Sequence, residues 1–144
     1  MQIGYHKVGL LTMRDGRILL CRKARGTQQL ILPGGCFEPG ETAEACLRRE
    51  LHEELGDVEA SNLAFIGTYQ DAAAGDPSKL VQIELYKGDL IGHPIAHSEV
   101  AELVWFGASD DRSQLAPSIA RTILPDLIHR GILSWVSPDG GTVS

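Results

Sequence analysis

The stretch Thr42–Leu55 constrains this chain most, because a helix is the natural reading of its pattern and that helix carries a charge where an apolar residue belongs. At ~100° per residue, Ala43, Leu47, Leu51 and Leu55 fall on one stripe that faces a core. Thr42 is placed as the N-cap and Gly56 as the stop. Glu54 falls inside the apolar arc, between Leu47 and Ala43. Glu50 lies at its edge, and Glu53 further round on the same side. Three carboxylates therefore share an arc of ~100°. Like charges three and four residues apart repel, and a partly buried carboxylate is costly without a partner. A hard divalent cation with oxygen ligands resolves both problems. The alternative is a solvated acidic face, with Arg49 paired to Glu53 and Arg48 in water; it leaves Glu54 unexplained.

The segment before the helix sharpens this. A short buried strand, Leu30-Ile31-Leu32, is expected to end at Pro33-Gly34-Gly35, with Pro39-Gly40-Glu41 leading into the helix. Glycines let backbone carbonyls and N–H groups approach a ligand closely. Upstream, Val8–Met13 and Ile18–Cys21 are apolar runs separated by a stretch containing Asp15-Gly16, a hairpin signal. Downstream, Leu63–Tyr69, Leu80–Tyr86 and Leu103–Phe106 read as strands, with a turn at Gly75-Asp76-Pro77-Ser78. A second helix is expected over Pro117–His129, stopped by Gly131 and broken or kinked at Pro125. This order suggests an α/β fold with a mixed sheet flanked by helices, not a doubly wound parallel sheet.

The 144 residues suit one domain, expected over 1–136 with a loose tail at 137–144. With 43% hydrophobic and 22% charged residues the composition is that of a globular chain, which excludes a disordered or collagen-like one. The net charge of −6 argues against long DNA or RNA as a partner. No apolar run approaches the ~20 residues of a membrane helix, and the N-terminus lacks a signal-peptide pattern. Three cysteines without a C-x-x-C fit free thiols, and a cytoplasmic location is expected. His93 and His97 have a zinc-like spacing only on a helix, which Pro94 disfavours. Trp105 and Trp135 are read as core residues before base-stacking ones.

Gly35, five residues, Glu41, seven residues, and then Arg49-Glu50-Leu51-His52-Glu53-Glu54-Leu55-Gly56 together resemble the Nudix box of the Nudix hydrolases. The one departure is Asp57, where an aliphatic residue is usual; Val58 follows it. The resemblance implies an α/β/α sandwich and metal-dependent hydrolysis of a nucleoside diphosphate linked to another group. It implies that Glu50, Glu53, Glu54 and the carbonyl of Gly34 bind Mg²⁺ or Mn²⁺, with Glu53 also catalytic. Arg49 orients the glutamates, Gly35 meets substrate, and Glu41 braces the loop. A further carboxylate on a distal loop binds metal or acts as base in many members. Glu99 matches it best, with Glu102 second. An acidic protein can bind a polyanion in this way because metal ions invert the local charge.

Among the basic residues before the box, Arg22 is the first choice for the substrate's phosphates, ahead of Lys23 and Arg25. The layout resembles the MutT-like nucleoside triphosphate pyrophosphohydrolases. The asparagine often found near the start of the last helix in members that clean oxidised guanine nucleotides is absent from Leu115-Ala116-Pro117-Ser118. Leu30 stands where a tryptophan is frequent. Strong preference for an oxidised guanine is therefore not expected. The alternatives are a nucleotide sugar, a dinucleoside polyphosphate or an RNA 5′ end as substrate, or a module that senses a nucleotide without cleaving it. A monomer or homodimer is expected.

Overall fold

A computed structural model describes residues 3–135. Seven strands and two helical segments of more than one turn build it. β1 (Ile3–Leu11), β4 (Gly34–Cys36), β5 (Glu59–Ala73) and β6 (Asp76–Ile91) form a mixed sheet in the order β4-β1-β6-β5. β1 and β6 run parallel, and the other pairs are antiparallel. β2 (Met13–Arg14), β3 (Arg17–Lys23) and β7 (Val100–Phe106) form a second, antiparallel sheet in the order β2-β3-β7.

The inner strands are buried on both faces, so alternate residues feed two cores. From β1 and β3, Leu11, Ile18 and Leu20 join the cluster that packs against the C-terminal helical segment. Val8, Leu10, Leu19 and Cys21 join the cluster beneath helix α1 (Ala43–Leu55), with Leu47, Leu51 and Leu55. This two-sided burial gives the helix–sheet–helix layering expected from the order of elements.

The local signals act as their chemistry dictates. Asp15 and Gly16 both have positive φ, 53° and 75°, the two-residue turn that matches strand twist. The Thr42 hydroxyl accepts from the Ala45 amide at 3.2 Å, and Gly56, at φ 81°, closes α1 with its N–H on the His52 carbonyl.

Most strands run longer than the sequence expectation, and three further differences have a local cause. Leu30–Leu32 makes only single bridges, Cys21 with Ile31 and Leu30 with Leu115, and the strand begins after Pro33, which has no N–H to donate. The turn before β6 comes earlier, so that Asp76 already pairs with Ala73. The C-terminal helix is not broken at Pro125. Ser118–Ile123 winds as a π-helix, with the Leu124 N–H on the Ile119 carbonyl, and α2 (Leu124–His129) continues from it. A proline ring in an α-helix meets the carbonyl four residues back, and the wider winding just upstream accommodates it. Among the described residues no helix is long and apolar enough to cross a membrane. The expected tail, 137–144, lies outside the described residues.

Candidate active site

The Gly34–Gly35 pair seats α1 on the sheet. Gly34 has φ 137°, and a Cβ there would stand 2.0 Å from the Val8 carbonyl oxygen. A Cβ on Gly35 would stand 2.3 Å from the Glu50 carboxyl carbon. The first glycine is thus required by strand packing and backbone conformation, the second by the approach of a carboxylate.

Glu54 is buried at 7% exposure, as its place inside the apolar arc requires. Its Oε1 accepts the Gly34 amide at 2.8 Å. Burial pushes its pKa up to about 7 against the pull of that bond, and the Glu50 charge adds to the rise. Glu50 is also shifted upward, first by burial, although Arg49 opposes the shift. Arg49 binds Glu41 through Nε at 2.8 Å and Nη2 at 2.9 Å, and binds Glu50 through Nη1 at 2.8 Å. Nη2 also reaches the Cys36 carbonyl at 3.2 Å, while Glu53 lies 3.6 Å from Nη1. Glu41 accepts in turn from the Glu38 amide at 2.8 Å. Hydrogen bonds from Arg49 and Glu38 hold the Glu41 carboxyl down at about 2. Arg49 and Glu41 thus tie the loop to the helix and hold Glu50 in place. Arg48, partly exposed, pairs with Glu44 at 2.9 Å and donates to the Ala60 carbonyl.

One cavity of about 280 Å³ is lined by Gly34, Gly35, Glu50, Glu53, Glu54 and Glu99, along with Cys36, Ser98, Lys7 and Lys23. The box carboxylates and the distal Glu99, expected from separate parts of the sequence, therefore face one space. Among the described residues no group of three or more His, Cys, Asp or Glu side chains is gathered as a ready metal cluster. Glu50 is turned to Arg49 and Glu54 to an amide instead. The donor set nevertheless fits a hard cation in its chemistry. All donors are oxygens on one cavity wall, and the buried Glu54 has a raised pKa that a cation would reverse.

The segment carrying Glu99 is pinned, not loose. Its Ile95 and His97 amides donate to the Leu55 and Glu54 carbonyls, each at 3.0 Å, capping the end of α1. Ser98 takes a positive φ of 56°, and the Glu99 carbonyl accepts from the Ala24 amide at 2.9 Å. Glu102 is directed elsewhere, bound to Arg22 at 2.6 Å.

Arg22 is not brought to this cavity. Its guanidinium holds Glu102, the Gln28 carbonyl and Gln114. Lys23, its neighbour, does line the space, as strand alternation allows. Lys7, not singled out from the sequence, lines it too. Its only signal there was a lysine in a strand among apolar residues. A second cavity, of about 290 Å³, adjoins the first and shares Lys7, Lys23, Gly34 and Gly35 with it. Its far walls are largely apolar, from Leu32, Val81, Ile83 and Ile119, with Tyr5, Thr27 and Ser118 as hydroxyl groups and the charged Arg25 and Asp76 also on the lining. Neither tryptophan lines these cavities. Trp135 is buried with its indole N–H on the Gly16 carbonyl, and Trp105 lies under the Arg14 guanidinium.

The comparisons agree with this geometry. The NUDIX domain family matches residues 7–127. A Haemophilus influenzae protein named 8-oxo-dGTP diphosphatase is 33% identical over 127 residues, covering 85% of this chain and 86% of that protein. An Escherichia fergusonii protein named nucleoside triphosphatase NudI is 53% identical over 51 residues, which cover 33% of this chain and 36% of that one. Among solved structures, the Escherichia coli ORF135 protein superposes with a TM-score of 0.68 at 28% identity, covering 89% of this chain and 91% of the other.

Proposed function

This chain belongs to the Nudix family, and we propose that it is a Mg²⁺-dependent nucleoside triphosphate pyrophosphohydrolase whose single catalytic unit spans residues 1–136. The observation that carries this is the pair of adjoining cavities. One is walled by carboxylates and the other largely by apolar side chains, with two lysines at their junction. A ligand that fills both is largely apolar at one end and polyanionic at the other. The names of the relatives, a diphosphatase of 8-oxo-dGTP and a nucleoside triphosphatase, support the same class.

A divalent cation held by Glu50, Glu53, Glu54 and the Gly34 carbonyl would neutralise the phosphates and acidify a water. The chain's own residues do the rest. Glu41 and Arg49 hold Glu50 at the cavity through charge-assisted hydrogen bonds. Glu99, which lines the same cavity as the helix glutamates, accepts the proton of the attacking water. Gly35, bare of a side chain, admits the Glu50 carboxylate and turns its backbone to the substrate.

A panel of nucleoside triphosphates, nucleotide sugars and dinucleoside polyphosphates, assayed with Mg²⁺, tests this. The expected result is the highest kcat/KM on a triphosphate. Saturable binding without turnover of any member of the panel would make the chain a sensing module instead.

A further inference from the structure

We propose that Lys7 holds the phosphate joined directly to the nucleoside, at the junction of the two cavities. This rests on the nucleotide reading above. Lys7 stands in β1, paired with Cys36 of β4 on one side and Ile83 of β6 on the other, at the centre of the mixed sheet. Its same-face neighbours along the strand are Gly9 and the fully buried Leu11. A lysine at such a position is half-buried, and among the described residues its ammonium has neither an ion pair nor a hydrogen bond; its contact is the Tyr5 ring at 5.8 Å. Lys23 lines the same junction and is likewise unpaired among the described residues. Burial, and then the Lys23 charge, lower the Lys7 pKa.

With the Glu50 and Glu54 charges on the same cavity offsetting it only in part, holding two like charges together and partly desolvated is unfavourable for folding. A phosphate between them reverses that. The position of the junction selects which phosphate. With the apolar end of the ligand in the largely apolar cavity and the far phosphates among the carboxylates, the group passing between Lys7 and Lys23 is the first of the chain. That phosphate stays with the monophosphate product.

The test uses the full chain as wild type, Lys7→Met and Lys7→Arg, with dGMP as the probe, titrated calorimetrically in EDTA. Lys7→Met is expected to weaken dGMP binding tenfold or more, and Lys7→Arg to bind within about threefold of wild type. With Mg²⁺, KM for dGTP rises in Lys7→Met by a similar factor while kcat changes less. Lys7→Met should melt near the wild-type temperature, since the ammonium makes no hydrogen bond or ion pair among the described residues and its burial cost is offset in part by Glu50 and Glu54. Wild-type-like dGMP affinity in Lys7→Met overturns the proposal. So does a lowered melting temperature with no rescue by arginine, which would make Lys7 a structural residue. Wild type that turns over dGTP normally while Lys7→Met is unaffected sinks this assignment alone. Wild type that neither binds dGMP nor turns over any triphosphate sinks the nucleotide reading as well.

Discussion

Replacing Glu54 by glutamine should stabilise the metal-free protein while abolishing its response to metal. The carboxyl is 7% exposed, and its pKa rises from 4.5 to about 7, chiefly through burial. The folded state therefore holds the proton more tightly than the unfolded chain. This contribution is fully present below pH 4.5 and is lost as the pH rises through about 7. Each pKa unit is worth ~1.36 kcal/mol, so an ionised Glu54 costs the apo protein up to about 3 kcal/mol above pH 7. Glutamine keeps an oxygen for the Gly34 amide but brings an NH₂ that needs a partner, which reduces the expected gain to about 1–3 kcal/mol. The assay is denaturant unfolding of wild type and Glu54→Gln at pH 8 and pH 4.5, in EDTA and in excess Mg²⁺. In EDTA at pH 8 the variant should be the more stable, and the difference should shrink at pH 4.5. Mg²⁺ at 100 times its Kd should add about 2.7 kcal/mol to wild type and clearly less to the variant. A variant less stable than wild type in EDTA at pH 8, or one that gains as much from Mg²⁺, would refute the view that Glu54 is a buried charge waiting for a cation.

Glu53→Gln should cut Mg²⁺-dependent turnover by orders of magnitude with its melting temperature near wild type, because Glu53 is exposed and its loss removes a charged oxygen donor but no core contact. Glu99→Gln should lower kcat by roughly 10²–10⁴-fold with KM little changed, and should weaken the acid limb of the kcat–pH profile. Wild-type rate with the same limb would move the base to a helix glutamate, since Glu102 is held by Arg22 outside the cavity. On paired assays of 8-oxo-dGTP and dGTP, the ratio of kcat/KM should stay below a hundredfold. The largely apolar cavity has Tyr5, Arg25, Thr27, Asp76 and Ser118 as its polar side chains away from the junction, with no asparagine in its lining. A larger ratio would place base discrimination on other groups.

The helix and its carboxylates were legible in the sequence because they depend on short-range rules. Period, caps and the position of Glu54 on the wheel are all set within the segment Thr42–Gly56, and the structure reproduces them. The hairpin at Asp15-Gly16 was legible for the same reason. Strand boundaries were not, because they depend on partners. Leu30–Leu32 has the composition of a strand but meets only single bridging residues, while Gly34–Cys36 has little strand propensity and pairs because β1 lies beside it. Spacing alone could not separate Arg22 from Lys23, since which neighbour faces a cavity depends on where β7 places Glu102. Lys7 carried no motif. Its importance comes from two cavities that share it, a relation among residues far apart in the chain.

The most direct test of the account is the identity of the products formed from dGTP, followed by ³¹P NMR before and after Mg²⁺ is added to the metal-free enzyme. Before addition the three triphosphate resonances should persist. Afterwards they should be replaced by those of dGMP and inorganic pyrophosphate alone. Persistence of dGTP at saturating Mg²⁺, or its conversion to dGDP and orthophosphate, would contradict the proposed reaction.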